Sequence, residues 1–136
     1  MKKYKIPDNV ILYIDISYNK YKSLLEKSTF VVLPLSETIR STGQASFLEA
    51  MAYGKPIILS KVIGALDYIE DVVNGLFYIP GNEEDLREKI IQLSGDVSIQ
   101  NKLAVNGVKT IQTKFNKLNY ASEMTTVIKK LVYEQI

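Results

Sequence analysis

One stretch of the sequence decides the fold. Residues 44–60 read Gln-Ala-Ser-Phe-Leu-Glu-Ala-Met-Ala-Tyr-Gly-Lys-Pro-Ile-Ile-Leu-Ser. Residues 44–53 predict a helix that ends at Gly54, and Pro56 just beyond prevents it from resuming. The apolar run Ile57–Ser60 then predicts a new strand at once. A helix that leads directly into a strand is typical of a parallel α/β sheet.

The same alternation extends toward the N-terminus. We predict strands at Val10–Ile14 and Phe30–Leu35, separated by a helix across Tyr18–Lys27 that Ser17 caps. Phe30–Leu35 is a continuous apolar run, which is expected of a parallel strand covered on both faces. Pro34 falls near its end, where the loss of one backbone donor is tolerated. One strand–helix unit and a second strand therefore precede the deciding stretch.

Toward the C-terminus the alternation continues and then gives way to helices. The sequence predicts a short helix near Ala65–Val72, a turn at Asn74-Gly75 and a fourth strand at Leu76–Ile79. Three further helices are predicted at about Glu83–Ser94, Ser98–Phe115 and Leu118–Glu134, the first of them capped by Asn82. In the last helix we expect a buried apolar face made of Met124, Val127, Ile128, Leu131 and Val132.

The expected architecture is α/β, a Rossmann-like parallel sheet of about four strands flanked by helices with an all-helical C-terminal segment. The chain has 136 residues, which suits one domain. We expect a single domain over residues 1–136, with a βα core at 1–81 and C-terminal helices at 82–136.

Composition excludes several classes of function. The chain has no His and no Cys, which removes disulfides, Cys/His zinc sites, thiol nucleophiles and imidazole bases. Its 17 basic and 15 acidic residues give a net charge of +2, too balanced to indicate a nucleic-acid partner. The apolar runs are too short to span a membrane, and the chain start does not fit a cleaved leader, so we interpret the protein as cytoplasmic.

The loop Ser36–Gly43 is the first candidate site. It follows a predicted strand and leads into a helix, the position where open α/β sheets bind ligands. The amides at the helix start, with the helix dipole, suit a phosphate, and Gly43 lets a ligand approach the backbone closely. Arg40 in the same loop can clamp a phosphate. The alternative is a strand–helix turn whose hydroxyls only cap the helix.

Glu49 is the second candidate. It lies in an otherwise apolar helix, and its side chain leans back toward the loop because helical side chains tilt toward the N-terminus. The carboxylate lies about 8 Å from the helix start. There it can accept hydrogen bonds from two ribose hydroxyls while the amides hold phosphates. The alternative is a single solvated acid.

These residues resemble a known family. Residues 41–58, Ser-Thr-Gly-Gln-Ala-Ser-Phe-Leu-Glu-Ala-Met-Ala-Tyr-Gly-Lys-Pro-Ile-Ile, resemble the core motif of retaining GT-B glycosyltransferases, also called group 1 or family 4. Ser60–Gly75 resembles the family's next helix, and Leu76–Asn82 resembles its last strand and turn. The resemblance covers nearly the whole chain and is most specific over residues 43–81.

The resemblance implies roles for individual residues. Glu49 matches the second glutamate of the family's paired motif, which holds the nucleotide ribose. Thr42, Gly43, Gln44 and Ala45 match the loop whose amides face the donor's diphosphate and sugar. The implied reaction transfers a hexose from a nucleotide sugar, used as substrate, to a hydroxyl with retention of configuration. No metal or other cofactor is expected.

One departure from the family's pattern bears on the site. The first glutamate of the motif should fall eight positions before Glu49, where this sequence has Ser41. The Ser41 hydroxyl can hydrogen-bond a sugar but supplies no charge. Ser41 and Glu49 are the candidate catalytic residues on this resemblance, and Glu37 is a nearby acid in a different register.

A second departure concerns how much of the family the chain resembles. The resemblance begins at the family's third strand, so we expect part of a GT-B C-terminal domain, with an N-terminal acceptor domain supplied in cis or in trans. The strands before it would lie between Val10–Ile14 and Phe30–Leu35. We therefore expect these two segments to pair directly, or a homodimer in which a second copy covers the edge at Phe30–Leu35.

The function expected is that of the donor-binding part of a glycosyltransferase, inactive as an isolated chain, with an unknown acceptor. The alternative is a non-catalytic interaction module of the same fold that has lost transferase activity, which Ser41 favours. A plain nucleotide-binding protein is disfavoured, because the chain has neither a Walker loop nor a G-x-G-x-x-G fingerprint.

Overall fold

The computed structural model describes residues 6–36 and 43–133. The helices are α1 Tyr18–Lys27, α2 Gln44–Ala52, α3 Ile63–Leu66, α4 Glu83–Gly95, α5 Val97–Thr113 and α6 Lys117–Tyr133. The strands are β1 Val31–Leu33, β2 Ile57–Ser60 and β3 Leu76–Tyr78.

The three strands form one parallel sheet in the order β1-β2-β3. Val31 pairs with Ile57 across β1 and β2, and Ile58 pairs with Leu76 across β2 and β3. The central strand β2 is buried along its whole length. The expected α/β class is confirmed, with three strands among the described residues in place of about four.

Helices cover both faces of the sheet. On one face, α2 contributes Phe47 and Met51 to a core that includes Ile57 and Leu59 of β2. On the other face, α4 and α5 contribute their buried leucines; this core contains Ile58, Leu76, Tyr78, Leu93 and Leu103. Each fully buried aliphatic or aromatic side chain stabilises the fold by about 1.5–3 kcal/mol relative to exposure. Two apolar layers therefore bury β2 between α2 on one face and α4 and α5 on the other.

Local capping signals locate two helix starts. The Ser17 hydroxyl accepts a hydrogen bond from the Lys20 amide at 3.3 Å and begins α1. The Asn82 side chain accepts from the Asp85 amide at 3.0 Å and begins α4. The Asp85 carboxylate in turn accepts from the Ile79 amide at 2.6 Å, tying α4 to the end of β3.

The helix predicted near Ala65–Val72 is shorter than expected. It ends at Leu66, and Val72 adopts a left-handed φ of 63°. The buried Asn74 side chain accepts from the Glu70 amide at 2.8 Å and donates to the Tyr68 carbonyl at 3.2 Å. This side chain satisfies backbone groups that a longer helix would have paired, so the segment turns.

The strand predicted at Val10–Ile14 does not form. Its side chains are exposed, Ile11 by 74% and Ile14 by 72%. The Val10 amide donates to the Pro7 carbonyl in a turn at 3.0 Å. The predicted direct pairing with Phe30–Leu35 is therefore wrong: within residues 6–36 and 43–133, no strand lies on the outer side of β1.

The buried face predicted for the last helix is also wrong. No residue of α6 that the structure describes is buried. Exposure ranges from 42% at Met124 to 61% at Leu131 across the predicted face, which also includes Val127, Ile128 and Val132. Periodicity identifies the apolar face of a helix, but burial requires a partner surface, and the described chain does not supply one.

Among the described residues, no helix is both long enough and apolar enough to cross a membrane.

Candidate functional site

The start of α2 lies at the carboxyl edge of the sheet, where a parallel α/β fold places its ligand sites. Gly43 precedes α2 with a φ of 85°, in the left-handed region. A Cβ at Gly43 would lie 2.5 Å from Leu35 Cδ2. The left-handed φ favours glycine at this position, and an added Cβ would require the Leu35 side chain to shift.

The first turn of α2 carries no side chain that satisfies its amides. Gly43 has no capping hydrogen bond, and no acid lies in the first turn. By helix geometry, the amides of Gln44 and Ala45 have no acceptor within α2. The start of α4 is different, because Asn82 caps it and three acids occupy its first turn. The positive end of the α2 dipole is therefore not balanced by acids of its own first turn.

Two side chains fix the surroundings of this helix start. The Ser60 hydroxyl at the end of β2 donates to the Leu35 carbonyl at 2.7 Å, which holds the chain leaving β1 against β2. The Gln44 amide group donates to the Gly64 carbonyl at 3.3 Å, so this side chain is engaged with α3. Ala45 is exposed. The predicted contacts of Gln44 and Ala45 with a donor therefore depend on their backbone amides.

Glu49 is half-buried on α2. Its Oε1 accepts a hydrogen bond from the hydroxyl of Tyr18, on α1, at 3.0 Å. This hydrogen bond and the negative charge of Glu49, with a smaller effect of Tyr53, raise the pKa of Tyr18 to about 12. Burial raises the pKa of Tyr21, and the Glu49 charge adds to it. Glu49 therefore lies among tyrosines and already accepts a hydroxyl donor.

Lys55 has a role that the sequence did not indicate. Its Nζ donates to the carbonyls of Glu26 at 2.7 Å and Ser28 at 2.9 Å. It therefore satisfies carbonyls at the C-terminal end of α1. The sheet topology could have indicated this contact. Parallel strands begin at the same edge of a sheet, so the segment before β2, which contains Lys55, passes the segment before β1. Lys61, by contrast, is exposed.

Part of the predicted site lies outside the described residues. Ser41 and Thr42 fall there, as do Glu37 and Arg40. Their proposed roles stay predictions. The structure brings the remaining predicted residues together on one element, with Gly43, Gln44 and Ala45 at the start of α2 and Glu49 further along it.

A cavity of about 490 Å³ opens at the same edge of the sheet. Residues 34–36, after β1, line one side, and residues 80–83, at the start of α4, line the other. Tyr78 and Leu86 complete the lining and were not predicted as site residues. Strand order explains the location, because β1 and β3 end on either side of β2.

Across residues 6–36 and 43–133, no group of three or more Asp or Glu side chains is arranged to hold a metal ion. The expectation that the chemistry needs no metal remains a prediction.

The parallel sheet, the glycine-started helix at its carboxyl edge and the half-buried carboxylate on that helix define a Rossmann-like α/β protein with a candidate ligand site at that edge. Residues 1–110 match the family of glycosyl transferases group 1. The chain belongs to this family, and the family expected from the resemblance is confirmed.

The chain is 34% identical over 101 residues to the uncharacterized glycosyltransferase MJ1178 of Methanocaldococcus jannaschii, covering 74% of this chain and 27% of that protein. In structure it is similar to sucrose-phosphate synthase from Thermosynechococcus elongatus, with a TM-score of 0.73 and 24% identity over 88% of this chain and 29% of that chain.

It is also similar to HepE of Anabaena, solved in complex with UDP-glucose, with a TM-score of 0.67 and 22% identity over 79% of this chain and 29% of that chain. The structural likenesses confirm the fold. The chain spans about a quarter of the length of MJ1178, 27%.

Proposed function

We propose that this chain is the donor-binding part of a glycosyltransferase, which binds a nucleoside diphosphate sugar. The observation that carries the proposal is the half-buried carboxylate of Glu49 on the helix that Gly43 starts at the carboxyl edge of the sheet. Membership of the glycosyltransferase family and the likeness to HepE, solved with UDP-glucose, support it.

In this proposal each group has one task. Backbone amides at Gly43, Gln44 and Ala45, with Thr42, face the diphosphate, and the helix dipole stabilises the charge that develops on the leaving group. Glu49 accepts hydrogen bonds from the ribose hydroxyls, and Ser41 hydrogen-bonds the donor sugar. The reaction would transfer the glycosyl group to an acceptor hydroxyl with retention and without a metal.

Transfer requires an acceptor held in place, and we propose that an N-terminal acceptor domain does this in cis or in trans. Positioning of two reactants can supply about 7–11 kcal/mol of a reaction barrier. The isolated chain is therefore proposed to bind donor and to transfer nothing. A cytoplasmic location belongs to the same proposal and rests on the sequence.

A second candidate is a non-catalytic interaction module of the same fold. The serine at position 41 favours it, and so does the open outer edge of β1. An apolar groove of about 350 Å³ lies between α1 and β1. We propose that a second copy of the chain covers the edge, forming a homodimer.

Titration of the amide NMR spectrum with UDP, GDP and ADP tests donor binding. We expect shifts over residues 43–49 in the wild type and their loss in Glu49→Gln, which keeps the side-chain size and removes the charge. Glu88→Gln, an exposed acid on α4, is the matched control and should leave the shifts intact. Flat spectra at millimolar nucleotide would reject donor binding and leave the interaction module.

A further inference from the structure

The partner of Glu49 comes from a different helix. Tyr18 lies 31 residues before Glu49, in the first turn of α1, and its hydroxyl reaches Glu49 Oε1 at 3.0 Å. The tyrosine is 62% exposed, so burial does not explain its orientation. Its ring lies 6.2 Å from that of Tyr21. The hydrogen bond and the ring contact together hold the phenol against the carboxylate.

The helix that carries Tyr18 is itself anchored. Leu25 of α1 is buried in the core beside α2. Lys55 donates to two carbonyls at the end of α1. A side chain projected from an anchored helix can fix the orientation of its partner, whereas one on a loose segment would follow it.

We propose that Tyr18 is a positioning residue for the nucleotide site: its hydroxyl holds Glu49 Oε1, so that the carboxylate keeps one orientation toward the ribose. This inference rests on the proposed role of Glu49. A glutamate loses much side-chain freedom when it binds a ligand, and a carboxylate oriented beforehand loses less at that moment.

The Tyr18 phenol can perform this task over the whole physiological pH range. A phenol donates only while it is protonated, and the raised pKa of about 12 keeps Tyr18 protonated where an ordinary tyrosine begins to ionise. The donated hydrogen bond is therefore complete below pH 10 and is lost only as the pH rises through about 12.

Tyr18→Phe tests the proposal, because it removes only the hydroxyl and keeps the ring beside Tyr21. We expect the full chain carrying this change to bind UDP about 3- to 10-fold more weakly, the range of one hydrogen bond. Inorganic pyrophosphate has no ribose, so its affinity should not change. Tyr120→Phe, an exposed tyrosine on α6, should alter neither affinity.

The outcomes separate the two proposals. UDP binding that depends on Glu49 but is equal or tighter in Tyr18→Phe overturns the positioning role and leaves the proposed function intact. A parallel loss for UDP and pyrophosphate also overturns it, because that result means a general structural defect. Absence of UDP binding in the wild type rejects the proposed function and this inference with it.

Discussion

Two features of Gly43 disfavour an added Cβ atom: its left-handed backbone and its close neighbour Leu35. Its left-handed φ of 85° is rare for other residues, and an added Cβ would meet Leu35 at 2.5 Å. The sequence pointed to this residue as a place of close approach to a ligand. The structure adds a close approach to Leu35, two residues after β1, which the sequence does not indicate because Gly43 and Leu35 meet only in the fold.

Three glycine-to-alanine changes separate these two features. Gly43→Ala should destabilise the fold by about 3 kcal/mol, from backbone strain plus overpacking. Gly81→Ala has a φ of 76° but open space around its Cβ, so strain alone should cost about 1–2 kcal/mol. Gly95→Ala has open space and no left-handed φ, and should change stability by less than about 0.5 kcal/mol.

Urea unfolding followed by circular dichroism measures the three differences. If Gly43→Ala costs no more than Gly81→Ala, the Leu35 side chain gives way freely and the close approach imposes nothing. The effect of Gly43→Ala on ligand binding is a separate measurement, made by the nucleotide titration.

At the scale of elements, what the sequence predicted correctly is what neighbouring residues determine. Ser17 and Asn82 start α1 and α4 by bonds that span three residues, and their identities are sufficient. Residues 10–14 have the composition of a strand and α6 has the pattern of a buried helix, but both need a distant partner. Sequence patterns describe a surface without saying whether anything covers it.

The site shows the same division. Sequence spacing predicts that Gly43 precedes a helix that carries Glu49, and the structure has this arrangement in α2. The hydroxyl of Tyr18 on Glu49 and the ammonium of Lys55 on the end of α1 join segments 31 and 27–29 residues apart. No local signal predicts such contacts, since they arise from how α1 packs beside α2.

Lys55 links elements, and its removal should loosen α1. Lys55→Met keeps most of the aliphatic stem and removes the two donated hydrogen bonds, so we expect a loss of about 1–2 kcal/mol in unfolding free energy. Amide hydrogen exchange should also quicken in the last turn of α1. The control Lys61→Met alters an exposed lysine and should change stability by less than about 0.5 kcal/mol. Equal effects at both positions would contradict the anchoring role.

At the scale of the whole molecule, two apolar surfaces are left uncovered by the described chain. One is α6, which has no buried residue. The other is the outer edge of β1 with the apolar groove between α1 and β1. A sheet edge is the surface that most readily pairs with another chain, because its backbone groups form hydrogen bonds with any extended partner.

The geometry of β1 makes the homodimer proposal testable at one amide. The Val31 amide donates to the Pro56 carbonyl at 2.9 Å, toward β2. Strand residues alternate in direction, so the Val32 amide faces the open edge. If a second copy pairs there, sedimentation velocity should show dimers as concentration rises. The Val32 amide should then exchange slowly in concentrated protein and rapidly in dilute protein.

Val31 provides the internal control, because its amide is bonded within the sheet and should exchange slowly at every concentration. A monomer at all concentrations with rapid exchange at Val32 would rule out the dimer. A dimer with rapid exchange at Val32 would move the interface elsewhere, and α6 would then be the surface to alter, by Leu131→Lys at an exposed position of its apolar face. Because neither surface includes Gly43 or Glu49, nucleotide binding should be the same in monomer and dimer.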